Sequence, residues 1–226
     1  MTEDWKQVED ALRKMEVVGQ DNNKPVTILG YAEGLRCIGI GTDAAVFYHP
    51  ATPKHAYKMY SAEALEKKDV EAGIYERLQA SPFFAQCYGT GPNYLVLSFE
   101  EGVTLYECLL QGIPVSGQVM QDVEDAREFV RQQGLNPRDM HLKNVFLQEG
   151  RAKVIDVSEY VKEGNDNRWE HLVWAYNHFY PLISEVKVPL WILETVTNWY
   201  NRMDTASFGI EDFAKRMSQL FMGKRK

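Results

Sequence analysis

The stretch Arg138-Asp139-Met140-His141-Leu142-Lys143-Asn144, followed twelve residues later by Asp156, concentrates the residue types that can do chemistry. Asp139 and Asn144 stand five positions apart in a loop. At that spacing the carboxylate can address a substrate hydroxyl while the amide oxygen reaches a metal ion that Asp156, at the end of a β-prone run, also holds. Oxygen ligands of this kind suit Mg²⁺, which accepts a sparse protein shell because phosphate oxygens and water fill its remaining positions. Each residue alone is equally at home in a solvated loop with an Asx turn or a helix cap. Their joint order argues for phosphate chemistry.

Two more segments bear on phosphates. Ile38-Gly39-Ile40-Gly41-Thr42-Asp43-Ala44-Ala45-Val46 lies between β-prone runs, where glycines allow a tight turn and close approach of backbone amides to an anion. No helix follows the glycines, as a dinucleotide fingerprint requires, and no Gly-Lys-Ser/Thr ending makes them a Walker loop. A hairpin over phosphates remains. Twelve residues past Val46 comes Lys58, in a strand of apolar and aromatic neighbours. The next helix offers Glu71 and Glu76 as partners for it. Glu71 is the better choice, because Val70, Ile74 and Leu78 mark an apolar stripe and Glu71 lies one residue from it, toward the sheet.

These residues need elements to position them. Trp5, Val8, Leu12 and Met15 recur at helical spacing, with Thr2 as a candidate cap, and predict an amphipathic N-terminal helix that packs on the body of the protein. Val26–Leu29, Leu35–Ile38, Ala45–Tyr48 and Ala56–Tyr60 read as an antiparallel meander. Ser61 opens a helix that Ser81-Pro82 stops, and Phe84–Tyr88 and Tyr94–Ser98 read as strands around Gly89–Asn93. Beyond Gly102 the pattern turns helical: Thr104–Gln111, Val119–Gln133, Arg168–Phe179, Leu190–Met203 and Ile210–Phe221. One hairpin interrupts it, Asn144–Leu147 with Lys153–Asp156. The expected organisation is therefore an N-terminal helix and linker over 1–24, a β-rich lobe over 25–100 and a mainly helical lobe over 101–226.

The sequence resembles the protein-kinase-like fold from about Leu35 to Asp156. Gly39 through Val46 looks like the loop G-x-G-x-x-G-x-V with Ala44 at the third glycine. Tyr57-Lys58 is similar to the end of V-A-I-K, Arg138-Asp139 through Asn144 matches R-D-x-x-x-x-N, and Asp156-Val157-Ser158 stands where D-F-G would be. Tyr94 through Gly102 looks like the strand, gatekeeper and hinge. The resemblance implies an α+β, two-lobed fold with a β-rich ATP-binding lobe and a reduced helical lobe, and it implies ATP and Mg²⁺ as cofactors.

It also implies roles. Gly39, Gly41 and Val46 cover the nucleotide, and Lys58, oriented by Glu71, holds its α- and β-phosphates. Leu97 is the gatekeeper, with Ser98, Phe99 and Glu100 offering backbone bonds to adenine. Asp139 accepts or orients the acceptor hydroxyl, Lys143 offsets charge on the transferring phosphoryl group, and Asn144 and Asp156 hold Mg²⁺.

Pro137 and Val157 replace the histidine and phenylalanine of the family's H-R-D and D-F-G, and no A-P-E motif follows Asp156. Only nine residues separate Asp156 from Asp166, too few for a peptide-docking activation segment; Ser158 and Tyr160 could carry phosphate and Arg138 could meet it, but residues of so short a loop are more often structural. The pattern is closest to small bacterial kinases and minimal RIO-like kinases. A protein Ser/Thr acceptor follows from the family's base rate. A small-molecule phosphotransferase of the aminoglycoside- or lipopolysaccharide-kinase kind, and a nucleotide-binding pseudokinase, are the alternatives.

Composition narrows the field further. The 226 residues carry 45% hydrophobic and 25% charged side chains, the balance of an ordinary globular protein. A net charge of −7 argues against a nucleic-acid partner, and the basic run Lys224-Arg225-Lys226 is too short to be assigned a function. Cys37, Cys87 and Cys108 lack paired spacing and read as free thiols. No apolar run reaches the roughly 20 residues that span a bilayer, and the start has no signal-peptide pattern, so a reducing cytoplasm is the expected compartment.

Overall fold

The computed structural model describes residues 3–79, 81–202 and 210–222. The chain divides into two compact units, the first ending at Glu101 and the second beginning at Gly102.

In the first unit a 3₁₀ turn, Asp4–Val8, runs into the short helix α1 (Glu9–Leu12). A hairpin of β1 (Met15–Val18) and β2 (Thr27–Gly30) follows. Then come β3 (Arg36–Ile40), β4 (Ala44–Tyr48), β5 (His55–Tyr60), the helix α2 (Leu65–Leu78), β6 (Cys87–Thr90) and β7 (Tyr94–Ser98). The last five strands form one antiparallel sheet in the order β3-β4-β5-β7-β6. Period-two alternation gives the sheet two distinct faces. Phe47, Tyr57, Met59, Tyr94 and Val96 turn to one side and pack against Trp5, Val8 and Leu12. Trp5 lies so close to Gly89 that an added Cβ there would sit 2.9 Å from its ring, which explains the glycine. The Tyr57 hydroxyl donates to Thr52 Oγ1 at 2.8 Å within this core.

Three expectations change here. The N-terminal helix is shorter than its periodicity suggests: Trp5, Val8 and Leu12 are buried as expected, but Met15 begins a strand. The Val26–Leu29 run does not join the meander; it pairs with that strand instead. Val70 is 44% exposed, so the buried face of α2 is Lys68, Glu71, Ile74, Tyr75 and Leu78. Thr2, the Met203 end of the fourth C-terminal helix and Lys224–Lys226 lie outside the described residues.

The second unit opens with β8 (Val103–Thr104) and α3 (Leu105–Gln111). Thr104 caps α3 in a box in which the Glu107 amide donates to Thr104 Oγ1 and Glu107 Oε2 accepts from the Thr104 amide. Gly112, at φ 71°, ends α3 in a left-handed turn. Next are α4 (Gly117–Gln132) and the hairpin β9 (Val145–Gln148) and β10 (Arg151–Val154), to which β8 adds a third strand in the order β10-β9-β8. The helices α5 (Arg168–Phe179), α6 (Leu190–Arg202) and α7 (Ile210–Met222) complete the unit.

Fully buried Asp122 of α4 anchors that hairpin. It accepts from Arg151 Nε at 2.7 Å, from a second Arg151 nitrogen at 2.8 Å and from the Ala152 amide at 3.0 Å. Burial pushes its carboxyl up, but the Arg151, Ala152 and Gln118 donors outweigh burial and hold it below the usual carboxylate range.

Candidate active site

In the first unit, strand register brings the sequence-predicted residues onto the sheet face opposite the Trp5 core. Gly39 pairs with Val46, Val46 with Lys58 and Lys58 with Leu95, while Ala56 pairs with Leu97. Directly opposed residues share a face, so Gly39, Val46, Lys58 and Leu97 stand on one surface. The β3–β4 turn closes with the Gly41 amide donating to the Ala44 carbonyl at 2.8 Å. Neither Gly39 nor Gly41 has positive φ. A Cβ on Gly39 would meet only Val46 at 3.6 Å. These glycines leave backbone bare above Val46; they do not relieve strain.

Lys58 Nζ donates to both carboxylate oxygens of Glu71, at 2.7 and 2.9 Å. The two side chains are 13% and 1% exposed, so the pair is nearly desolvated, with one ammonium face near the Tyr60 ring. Glu76 is exposed on the opposite side of α2. At the end of β7 the Ser98 amide donates to Gln86 O at 2.8 Å and the Phe99 amide to Lys54 O at 2.9 Å. Both N–H groups are thus committed within the unit, so the bonds to a base expected of Ser98 and Phe99 would run through their carbonyls. The Ser98 hydroxyl donates to Glu100.

In the second unit the loop before β9 gathers Asp139, His141 and Asn144. Asp139 adopts φ 54°, a left-handed conformation rare outside glycine, and is held in it from both sides. Its amide donates to Asp166 Oδ2 at 2.8 Å, and its carbonyl accepts from Asn144 Nδ2 at 3.0 Å. Asp166 also accepts the Arg168 amide at 3.2 Å, and the Arg168 guanidinium pairs with Asp139 Oδ1. His141 Nε2 lies 3.6 Å from that same oxygen. The His141 Nδ1 accepts the Lys143 amide at 3.2 Å, which places the neutral ring's proton on Nε2, toward Asp139. Asp166 and Arg168 escaped the sequence reading, because their contacts bridge 27 and 29 residues with no local pattern.

Burial pushes the Asp139 carboxyl up to about 6; the Arg168 cation opposes this, and the Asp156, Asp166 and Glu159 carboxylates add to it. Burial and the Arg168 cation push His141 down to about 4. A carboxylate titrating near neutrality beside a neutral imidazole is suited to proton transfer.

The carboxamide nitrogen of Asn144 is spent on Asp139, which leaves Oδ1 with the ligand chemistry, and Asp156 Oδ1 accepts the Ser158 amide at 3.0 Å. The Asn144 carbonyl accepts the Ile155 amide at 3.0 Å, tying the two candidate ligands through the ends of the hairpin. No cluster of three His, Cys, Asp or Glu suited to a metal occurs among the described residues. A two-oxygen set fits Mg²⁺ completed by phosphate, and would not make a closed protein cage. The Lys143 ammonium rests 4.8 Å from the Tyr106 ring centroid.

The segment after Asp156 is tied down. Asn136 Nδ2 donates to the Lys162 and Gly164 carbonyls at 2.7 and 2.8 Å, and Arg138 donates to the Glu163 and Gly164 carbonyls. Tyr160 is 1% exposed. The buried Tyr160 ring, and Arg138 Nη1 spent on two backbone carbonyls, agree with a structural role for these residues and not with a phosphate carrier and its partner.

A β-rich unit carrying a desolvated Lys–Glu pair behind a glycine hairpin, followed by a helical unit carrying R-D-x-x-x-x-N and then Asp156 after the hairpin, defines the protein-kinase-like class. The chain belongs to that family. It is 34% identical over 190 residues to the Bacillus subtilis (strain 168) protein named "Putative serine/threonine-protein kinase YrzF", covering 82% of this chain and 88% of that relative. No family model matches the sequence.

Proposed function

We propose that this protein is an ATP- and Mg²⁺-dependent phosphotransferase that moves the γ-phosphoryl group of ATP to a hydroxyl acceptor. The observation that carries the reading is the bidentate Lys58–Glu71 pair on the same sheet face as Gly39, Val46 and Leu97. A lysine held this way presents its charge to phosphate oxygens without reorganising. Asp139 takes the proton of the acceptor hydroxyl as its oxygen attacks the γ-phosphorus, and Lys143 supplies positive charge beside the same loop. Mg²⁺ held by Asn144 Oδ1 and the Asp156 carboxylate would neutralise charge on the phosphates. The free thiols of Cys37, Cys87 and Cys108 support a reducing compartment, the cytoplasm. No helix among the described residues is long and apolar enough to cross a membrane.

The relative's name favours a serine or threonine of a protein as acceptor. A small-molecule alcohol is a second reading, favoured by a mostly apolar pocket whose lining includes Arg168 and His141, both against Asp139. Incubation with γ-labelled ATP, alone and with cell lysate, followed by site mapping, tests the reading. Label transfer that needs Mg²⁺ and disappears in Asp139→Asn is the expected result, and absence of transfer and of nucleotide binding would remove it.

A further inference from the structure

The helical unit carries a half-open pocket of about 320 Å³, walled by α3, α5, α6 and α7 through side chains such as Leu109, Leu172, Ala175, Leu193 and Phe213. A half-open pocket of this size walled by aliphatic and aromatic groups is the kind of apolar surface that monomers leave uncovered mainly at binding sites. Its lining is mostly apolar, with hydroxyls of Tyr106, Tyr176, Tyr180 and Thr197, and its charged or titratable members are His141, Lys143 and Arg168, from the Asp139 loop and the start of α5. Two of those three touch the Asp139 carboxylate: Arg168 is paired with it and His141 lies 3.6 Å away. The pocket therefore comes within one side chain of the group assigned to take the acceptor's proton. An apolar pocket with a few convergent polar groups is the usual form of a small-molecule site.

We propose that this cavity holds the apolar body of the acceptor, and that the acceptor is a single-chain amphiphile with a hydroxyl at its polar end. The inference rests on the phosphotransferase reading and takes its second form. The volume sits at the lower end of the roughly 300–1,000 Å³ typical of ligand pockets, which suits one alkyl or aryl body and not a two-chain lipid. The wall between α5 and α6 carries apolar character outward, since Ile183 and Val188 line the cavity while Leu182, Val186 and Trp191 of the same stretch are exposed. In the transfer, the alcohol oxygen bonds to the γ-phosphorus of ATP and the bond from that phosphorus to ADP breaks. The hydroxyl proton passes to Asp139, and the products are ADP and a phosphate monoester. With the body sequestered, the hydroxyl is presented at fixed orientation beside Asp139.

1-Decanol is the probe, used with the full chain. Calorimetry is expected to show saturable one-to-one binding, weakened roughly tenfold or more by Ala175→Phe and by Leu193→Trp, which fill the cavity from α5 and from α6. Two filling variants are used so that one misfolded protein does not decide the result, and a thermal melt identifies it. Hexane-1,6-diol, polar at both ends, is expected to bind at least roughly tenfold more weakly. With Mg²⁺ and γ-labelled ATP, label should appear in decyl phosphate with the parent and not with Asp139→Asn, which should still bind decanol. No saturable binding, or equal binding by both folded filling variants, would overturn the cavity assignment. Binding without labelled decyl phosphate, in a preparation that labels protein serine or threonine, would overturn the acceptor role. Decanol binding without any Mg-ATP binding would overturn the phosphotransferase reading, and the acceptor role with it.

Discussion

The ion pair at the candidate residues of the first unit and the Asp139–Arg168 pair of the second are built in opposite ways. Lys58–Glu71 joins a central strand to a helix. Its lysine donates to both carboxylate oxygens, and burial of Glu71 is compensated by those bonds. Asp139–Arg168 joins a loop in a left-handed conformation to the start of α5, and Asp139 shares its surroundings with the Asp156, Asp166 and Glu159 carboxylates. Asp122 of the same unit shows what a satisfied carboxylate looks like, with its acidity strengthened despite burial. The difference separates a fully compensated pair from a carboxyl held near neutrality, as the proposed proton-transfer role of Asp139 requires. A carboxyl held near neutrality can take up and release a proton, whereas one bound by strong donors cannot.

The contrast is sharpest in Asp139→Asn. It is expected to lower turnover by roughly 10²–10⁴-fold, read by label transfer, while nucleotide affinity stays near that of the parent. The same change should stabilise the fold. The Asp139 carboxyl is raised from 3.8 to about 6 in the folded protein, so its contribution to stability is present below about pH 4 and lost as pH rises through about 6. Asparagine has no charge to bury. The variant should melt a few degrees above the parent at pH 8, on the order of 1–3 kcal/mol, and the gap should close by pH 4. His141, pushed down to about 4, is neutral in both proteins at pH 8, so the melts compared there read Asp139 alone. A variant less stable than the parent at pH 8 would break the contrast.

On the other side of the comparison, Lys58→Met should abolish transfer and weaken Mg-ATP binding, and it should also destabilise. Removing one partner of a buried pair costs about 3–5 kcal/mol, visible in a denaturant melt. Glu71→Gln should follow in the same direction more weakly, because the amide still accepts one bond. Exposed Glu76→Gln should be silent in both assays. Equal effects of the two glutamine variants would undo the assignment of Glu71.

Asp166→Ala is a smaller test, aimed at the positioning of Asp139. It leaves the Asp139 and Arg168 amides without their shared acceptor, and roughly 10- to 100-fold loss of turnover with unchanged Mg-ATP affinity is expected, scored by parallel kinetics and calorimetry. The smallest effects belong to Ser158→Ala and Tyr160→Phe, which should keep most of the parent rate, as should phosphatase treatment. Tyr160 is buried and the segment after Asp156 is pinned by Asn136 and Arg138. Loss of activity after phosphatase, restored by an acidic residue at 158, would show that this segment switches after all.

What the sequence reveals follows from how local each contact is. The Lys58 strand and the Glu71 helix are short-range patterns, and their pairing needs only that a helix lie on the adjacent sheet. The apolar stripe nonetheless misleads at Val70. The buried face of α2 includes Lys68 and Glu71, polar residues that an apolar pattern cannot count. Likewise Met15 extends the three-to-four periodicity of Trp5, Val8 and Leu12, yet pairing with Gly30 claims it for a strand. Tertiary pairing overrides local propensity there. The Asp139 loop is legible as a motif, but its control by Asp166 and Arg168 is not, since that depends on the chain returning after 27 and 29 residues.

The central claim is that Asp156 serves nucleotide binding and Asp139 serves transfer. Calorimetric titration of Mg-ATP into the parent, Asp156→Asn and Asp139→Asn tests it most directly, with label transfer measured on the same preparations. The account predicts weakened Mg-dependent binding in Asp156→Asn, and near-parental binding with transfer lost in Asp139→Asn. Equal loss of affinity in both variants, or no Mg-ATP binding by the parent, would contradict it.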